Sequence, residues 1–120
     1  VTKRILAIVE DIFFAVKIEG AAKGAGAKVQ FVKTEQAALA AAPAAELILL
    51  DLNCKGLDVL ALLPQLPGER VIGFVSHVQT ELRQAAAAAG CGTVMARSAF
   101  SDRLPALLQA FQDGSRRPGV

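Results

Sequence analysis

Four consecutive apolar residues, Leu47 to Leu50, lead directly into an acid, Asp51, in the segment Glu46-Leu-Ile-Leu-Leu-Asp-Leu-Asn53. An unbroken apolar run of this length predicts a strand buried on both faces, as at the centre of a parallel sheet. Arg4 to Val9 is a second such run, and it ends in Glu10-Asp11. Lys28 to Val32, Val71 to Val75 and Gly92 to Ala96 complete five predicted strands. Helical periodicity fills the intervals. From Ile12 to about Lys23 it places Phe14, Ile18 and Ala21 on one face, with Gly24 and Gly26 as the stop. Thr34 reads as the N-cap of an Ala-rich helix up to Pro43. Leu57, Leu60 and Leu63 make the stripe of a short helix from Gly56, ended or kinked by Pro64, and Pro67-Gly68 breaks the chain. Gln79 to Ala89 turns Leu82, Ala85, Ala86 and Ala89 inward and stops at Gly90. Ser101 is expected to cap a last helix to about Gln112, with Pro105 in its first turn and Leu104, Leu107 and Phe111 towards the core.

Strands alternating with helices give five βα units. The expected fold is a flavodoxin-like α/β three-layer sandwich, a five-stranded parallel sheet of order 2-1-3-4-5 with helices on both faces. A length of 120 residues suits one domain over 1–120, with a basic tail from about residue 113 that holds Arg116 and Arg117. Apolar residues make up 53% of the chain, enough for a core without disulfides or metal. A net charge of +2 is too weak to imply a nucleic-acid surface. The apolar runs are far short of a membrane span and no leader pattern is visible, so a cytoplasmic protein away from the membrane is expected. Cys54 and Cys91 fall at opposite edges of the expected sheet, which argues against a disulfide. With no CxxC and a single His77, zinc is not expected.

The candidate chemistry lies at the carboxyl ends of the strands, where open α/β sheets bind ligands. The first strand delivers Glu10 and Asp11, the third Asp51 and then Asn53, the fourth Ser76 and the fifth Arg97. In the order 2-1-3-4-5 the first and third strands are neighbours, so three carboxylates share one pocket. Such a group repels itself unless a cation or a proton neutralises it. Hard oxygen ligands of this kind suit Mg²⁺, and a hydroxyl with a long cation completes a site for a phosphoryl group. The plainer alternative is that these acids only end strands and favour the following helix N-termini.

In this joint order and spacing the chain resembles bacterial response-regulator receiver domains along essentially its whole length. The matching residues are the acidic pair Glu10-Asp11, Asp51 in Leu-Leu-Asp51-Leu-Asn53, Ser76 in Phe-Val-Ser76, and the run from Ala87 to Arg97. The resemblance implies a phosphoacceptor Asp51 in a two-component phosphorelay, attacking a phosphohistidine on a histidine kinase or histidine phosphotransfer protein. It implies Mg²⁺, weakly bound by Asp11, Asp51 and the Asn53 carbonyl, with Glu10 acting through water. It implies Ser76 hydrogen-bonding the phosphoryl group and drawing the following loop inward, a signalling phosphoacceptor rather than an enzyme.

Four departures bear on that expectation. Arg97-Ser98 stands where the family has Lys and then a cis proline, and an Arg fork does not replace a Lys point charge conservatively. His77 follows Ser76 in place of a small residue, Val94 replaces the aromatic of the fifth strand, and Lys55 stands where Pro is common. Two readings compete. One is a stand-alone receiver-like phosphoacceptor, with output through another protein since no output segment follows the last helix; a homodimer is compatible with it. The other is a pseudo-receiver, a phosphorylation-independent interaction module. A flavin carrier of the same topology lacks its hydroxyl- and glycine-rich loop after the first strand. Val1 as first residue leaves open a longer parent chain. Phe13 reads either as a boundary residue or as part of a docking patch.

Overall fold

The computed structural model describes residues 3–76 and 79–114. The expectations for His77 and for the basic tail beyond residue 114 lie outside the described residues. Five strands, β1 (Arg4–Ile8), β2 (Lys28–Val32), β3 (Leu47–Asp51), β4 (Val71–Val75) and β5 (Thr93–Ala96), form one parallel sheet of order β2-β1-β3-β4-β5. The expected topology is therefore the observed one. Around it lie α1 (Ile12–Ala25), α2 (Glu35–Ala41), α3 (Val59–Leu62), α4 (Thr80–Ala88) and α5 (Arg97–Asp113).

Strand residues alternate between two cores because successive side chains leave opposite faces. Leu6, Ile8, Ile48 and Leu50 pack with Ala38, Leu62, Leu63 and Ala86 on one side. Ile5, Ala7, Leu49 and Phe74 pack with Ile18, Phe100, Leu104 and Leu108 on the other. β3 is buried along its whole length, Asp51 included. This is the consequence of its unbroken apolar run.

Three helix boundaries differ from the sequence reading. α1 runs on past Gly24, and only Gly26, at φ 78°, ends it, its amide reaching the carbonyls of Ala22 and Lys23. Ile18 and Ala22 are the fully buried residues that hold this helix to the sheet. α3 starts at Val59, not near Gly56, because the Asp58 carboxylate accepts the Ala61 amide as an N-cap. Its buried positions are Val59 and Leu62, followed by Leu63; Leu60, expected in the stripe, is exposed. Pro64 lies in the 3₁₀ turn Leu63–Gln65 that closes it.

The largest difference is at α5. Ser101 is not its cap: the helix begins four residues earlier, at Arg97, straight from the extended Ala96. Phe100, Leu104, Leu108 and Phe111 form one buried stripe, and Phe100 can join it only if the first turn starts before it. Ser101 instead accepts a hydrogen bond from Lys17 Nζ on α1. Pro105 consequently sits inside the helix and leaves the Ser101 carbonyl without its usual amide, a loss the apolar stripe offsets. No cis peptide bond is present among the described residues, in keeping with Ser98 at the family's proline position.

At the amino edge of the sheet, the Gly92 amide donates to the Gly68 carbonyl at 2.8 Å. A side chain on Gly68 would run into the Gly90 backbone, so this crossing requires glycine. Cys91 is buried beneath it, and Cys54 is buried at the opposite edge; both are free, as their placement in sequence implied. Among the described residues no helix is long and apolar enough to cross a membrane.

Candidate functional site

The carboxyl edge holds an open pocket of about 290 Å³, lined by Glu10, Asp11, Asp51, Asn53, Cys54, Lys55 and Arg97. β1 and β3 are adjacent, so the ends of both strands converge on it. Asp51 lies at its floor and is only 4% exposed. Its Oδ1 accepts the Asn53 amide at 2.9 Å, which locks the carboxylate over the turn after β3. Burial raises the pKa of Asp51 from the ordinary 3.8. The Asn53 amide and the Arg97 charge oppose this, and the nearby Asp11 and Glu10 add to it.

Arg97 reaches across from the first residue of α5. Its Nη2 lies 3.3 Å from Asp11 Oδ2 and 3.7 Å from Asp51 Oδ2. One nitrogen thus bridges two carboxylates, in place of a fork on one. The guanidinium carbon lies 4.8 Å from the centre of the Phe14 ring. That ring stacks on Phe74 at 4.8 Å, and Phe74 on Phe100 at 4.5 Å. Arg97 is therefore held by charge from above and by an aromatic face from below.

Asp11 has two duties. Its Oδ1 caps α1 by accepting the amides of Phe13 at 2.9 Å and Phe14 at 3.3 Å, and its Oδ2 meets Arg97. Glu10 is exposed at the rim, its Oε2 3.8 Å from Cys54 Sγ. Burial, then the charges of Asp51 and Glu10, push the Cys54 thiol pKa up, which keeps it neutral and unreactive.

The four expected metal ligands, Glu10, Asp11, Asp51 and Asn53, line this pocket together with Arg97. Among the described residues no group of three or more acids, histidines and cysteines is arranged to hold an ion. Asp11 Oδ2 and Asp51 Oδ2 converge on Arg97. Their chemistry suits a cation, and the side chain of Arg97 already supplies one.

Ser76, at the end of β4, belongs to a neighbouring arrangement. Asn53 Oδ1 accepts from the Ser76 amide at 2.9 Å and from its hydroxyl at 3.3 Å. Asn53 Nδ2 donates to Gln79 Oε1, in the residue that precedes α4. Asn53 was expected to act through its backbone carbonyl, yet its side chain is what ties the β3 and β4 loops together. The sequence reading missed Gln79, whose only signal was its place just before a helix. It also treated Phe14 as core alone, although Phe14 carries Arg97.

No protein-family model and no curated protein matches the chain. Solved structures do resemble it. The chain superposes on NtrX from Brucella abortus, solved with ADP, with a TM-score of 0.76 and 21% identity; 97% of this chain covers 29% of that one. This chain therefore spans under a third of the NtrX chain. A response regulator from Hahella chejuensis gives a TM-score of 0.77 at 20% identity, over 92% of this chain and 95% of that one. A response regulator protein from Burkholderia pseudomallei, which carries a phosphorylated aspartic acid, a calcium ion and citrate, gives 0.73 at 22% identity, over 94% and 70%. With its sheet order and these superpositions, the chain has the fold of response-regulator receiver domains.

Proposed function

We propose that the protein is a receiver-like signalling module that accepts a phosphoryl group on Asp51 from a phosphohistidine partner. The observation that supports this best is the placement of Asp51. It is a buried carboxylate at the end of the central strand, with one oxygen fixed by the Asn53 amide and the other facing Arg97 in an open pocket. In the proposed step an Asp51 oxygen attacks phosphorus, the P–N bond breaks, and its electron pair returns to the donor imidazole. An acyl phosphate remains on Asp51. Arg97, and Lys55 on the pocket wall, supply positive charge for the added phosphoryl oxygens. Asp11, Asp51 and the Asn53 carbonyl would hold Mg²⁺, which would neutralise charge at the phosphoryl group, in competition with the pairing of both acids to Arg97. Output passes to a second protein that reads the pocket's surroundings.

A second reading is a phosphorylation-independent interaction module. Two contacts favour it: Arg97 is already satisfied by both acids, and the Ser76 hydroxyl by Asn53. Intact-protein mass spectrometry after incubation with acetyl phosphate and Mg²⁺ separates the two. Gain of one phosphoryl group supports the phosphoacceptor. A folded protein that stays unlabelled, and that binds its partner equally well as Asp51→Asn, supports the alternative.

A further inference from the structure

Three of the four exposed large apolar side chains among the described residues lie on the first half of α1: Ile12 at 70% exposure, Phe13 at 84% and Val16 at 65%. The second half of the same helix is the opposite. Gly20 and Gly24 are exposed, and a Cβ built on either meets nothing within 4 Å. Residues 12, 16, 20 and 24 follow one i, i+4 ridge. That ridge carries two bulky apolar knobs at one end and two gaps at the other. Beside the gaps runs a groove of about 450 Å³, lined on α5 by Leu104, Pro105 and Gln109.

We infer that α1 is a self-complementary interface for a second copy of this chain, the two α1 helices crossing antiparallel about a twofold axis at the level of residue 18. In an isologous pair each contact occurs twice, once in each direction. In this register Ile12 lies opposite Gly24 of the partner copy and Val16 opposite its Gly20, so the knobs of each helix fill the gaps of the other. The charges agree with the same register. Lys17 meets Glu19 of the other copy, and the Phe13 ring meets the ammonium of Lys23. Lys17 already donates to Ser101, and its remaining N–H groups stay available to Glu19. A second α1 matches both the size sequence and the charge sequence of this helix. The inference does not depend on whether Asp51 is phosphorylated.

The test is the mass of the 120-residue chain by sedimentation equilibrium. The wild type is expected to dimerise reversibly. Gly20→Leu and Gly24→Leu fill the gaps from open solvent and favour helix over the original glycine, so each variant folds. Each is expected to weaken the dimer at least about tenfold, as loss of a packed interface position does. Glu19→Lys weakens it too, and adding Lys17→Glu restores it. Mixed Val16→Cys and Gly20→Cys chains are expected to cross-link to one another on oxidation, since Cys54 and Cys91 are buried. A wild type that stays monomeric, a dimer unchanged by both leucine variants, or no mixed cross-link overturns the inference.

Discussion

The two faces of the sheet are built differently. On one, α1 and α5 are long helices, and three nearly parallel phenylalanine rings, Phe14, Phe74 and Phe100, form the core beneath the pocket. On the other, α2, α3 and α4 are short, 3₁₀ turns follow the first two, and the core is aliphatic, rich in Ala and Leu. The site draws on both. Asp11 caps one long helix and Arg97 starts the other, with Arg97 resting on the aromatic face, while Asn53, Ser76 and Gln79 belong to loops beside the short ones. The Arg97 cation is thus fixed to the aromatic half of the molecule. Among the described residues the hydroxyl that the proposed phosphoryl group needs is held by Asn53, through a chain of side-chain hydrogen bonds that a stronger acceptor can exchange.

The sharpest way to break this contrast is at Phe100. Phe100→Ala removes the ring that closes the stack and is expected to cost about 3–5 kcal/mol in urea denaturation. It also loosens Arg97, because Phe14 loses support. Leu62→Ala, on the other face, is expected to cost about 2–4 kcal/mol and to leave Arg97 where it is. If Leu62→Ala disturbs the Arg97 side-chain NMR signal as much as Phe100→Ala does, the two faces are not independent.

Next in size is the cation. A lysine at 97 lacks the guanidinium that spans Asp11, Asp51 and the Phe14 face, so the acids are less fully neutralised. Arg97→Lys is expected to tighten Mg²⁺ binding and to speed acetyl phosphate labelling about tenfold, or roughly 1.4 kcal/mol in the barrier. Equal rates and equal Mg²⁺ affinities would place Arg97 outside the chemistry.

Asp51→Asn comes third. Because burial raises the pKa of Asp51, its neutral form favours the folded state. The stability tied to this group is fully present below the ordinary 3.8 and is lost as pH rises through the raised value. Asp51→Asn removes that loss and is expected to raise stability at pH 7. A variant whose stability follows pH as the wild type's does would show that Asp51 is not the group responsible. The smallest effect is expected at Asn53. Asn53→Ala frees the Ser76 hydroxyl and should cost about 0.5–1.5 kcal/mol. Amide exchange at Ser76 and Gln79 should quicken while that of Arg97 and Phe14 stays slow.

How much of this the sequence disclosed follows the range of the forces involved. The strands were legible because a doubly buried strand needs an unbroken apolar run, and the pocket acids because they end those strands. The reach of Arg97 towards Asp51 followed from sheet order and side-chain length. The start of α5 was not legible from cap residues: Ser101 resembled a cap, whereas the Phe100–Leu104–Leu108 spacing, which prevailed, depends on a ring stack with Phe14 and Phe74. The Asp58 cap of α3 was not read from the sequence, where a leucine pattern set the helix near Gly56; of that pattern Leu63 is buried and Leu60 exposed. The Asn53–Gln79 contact joins two loops 26 positions apart, and no local pattern encodes it.

The central claim is that Asp51 is the acceptor in a pocket governed by Arg97. It is tested most directly by locating the phosphoryl group. Wild type, Arg97→Lys and Asp51→Asn are each treated with acetyl phosphate and Mg²⁺, the acyl phosphate is trapped by borohydride reduction, and the peptides are sequenced by mass spectrometry. The account predicts a single modified residue, Asp51, more heavily labelled in Arg97→Lys than in wild type and absent from Asp51→Asn. Labelling at another residue, or none in either protein that retains Asp51, would contradict it.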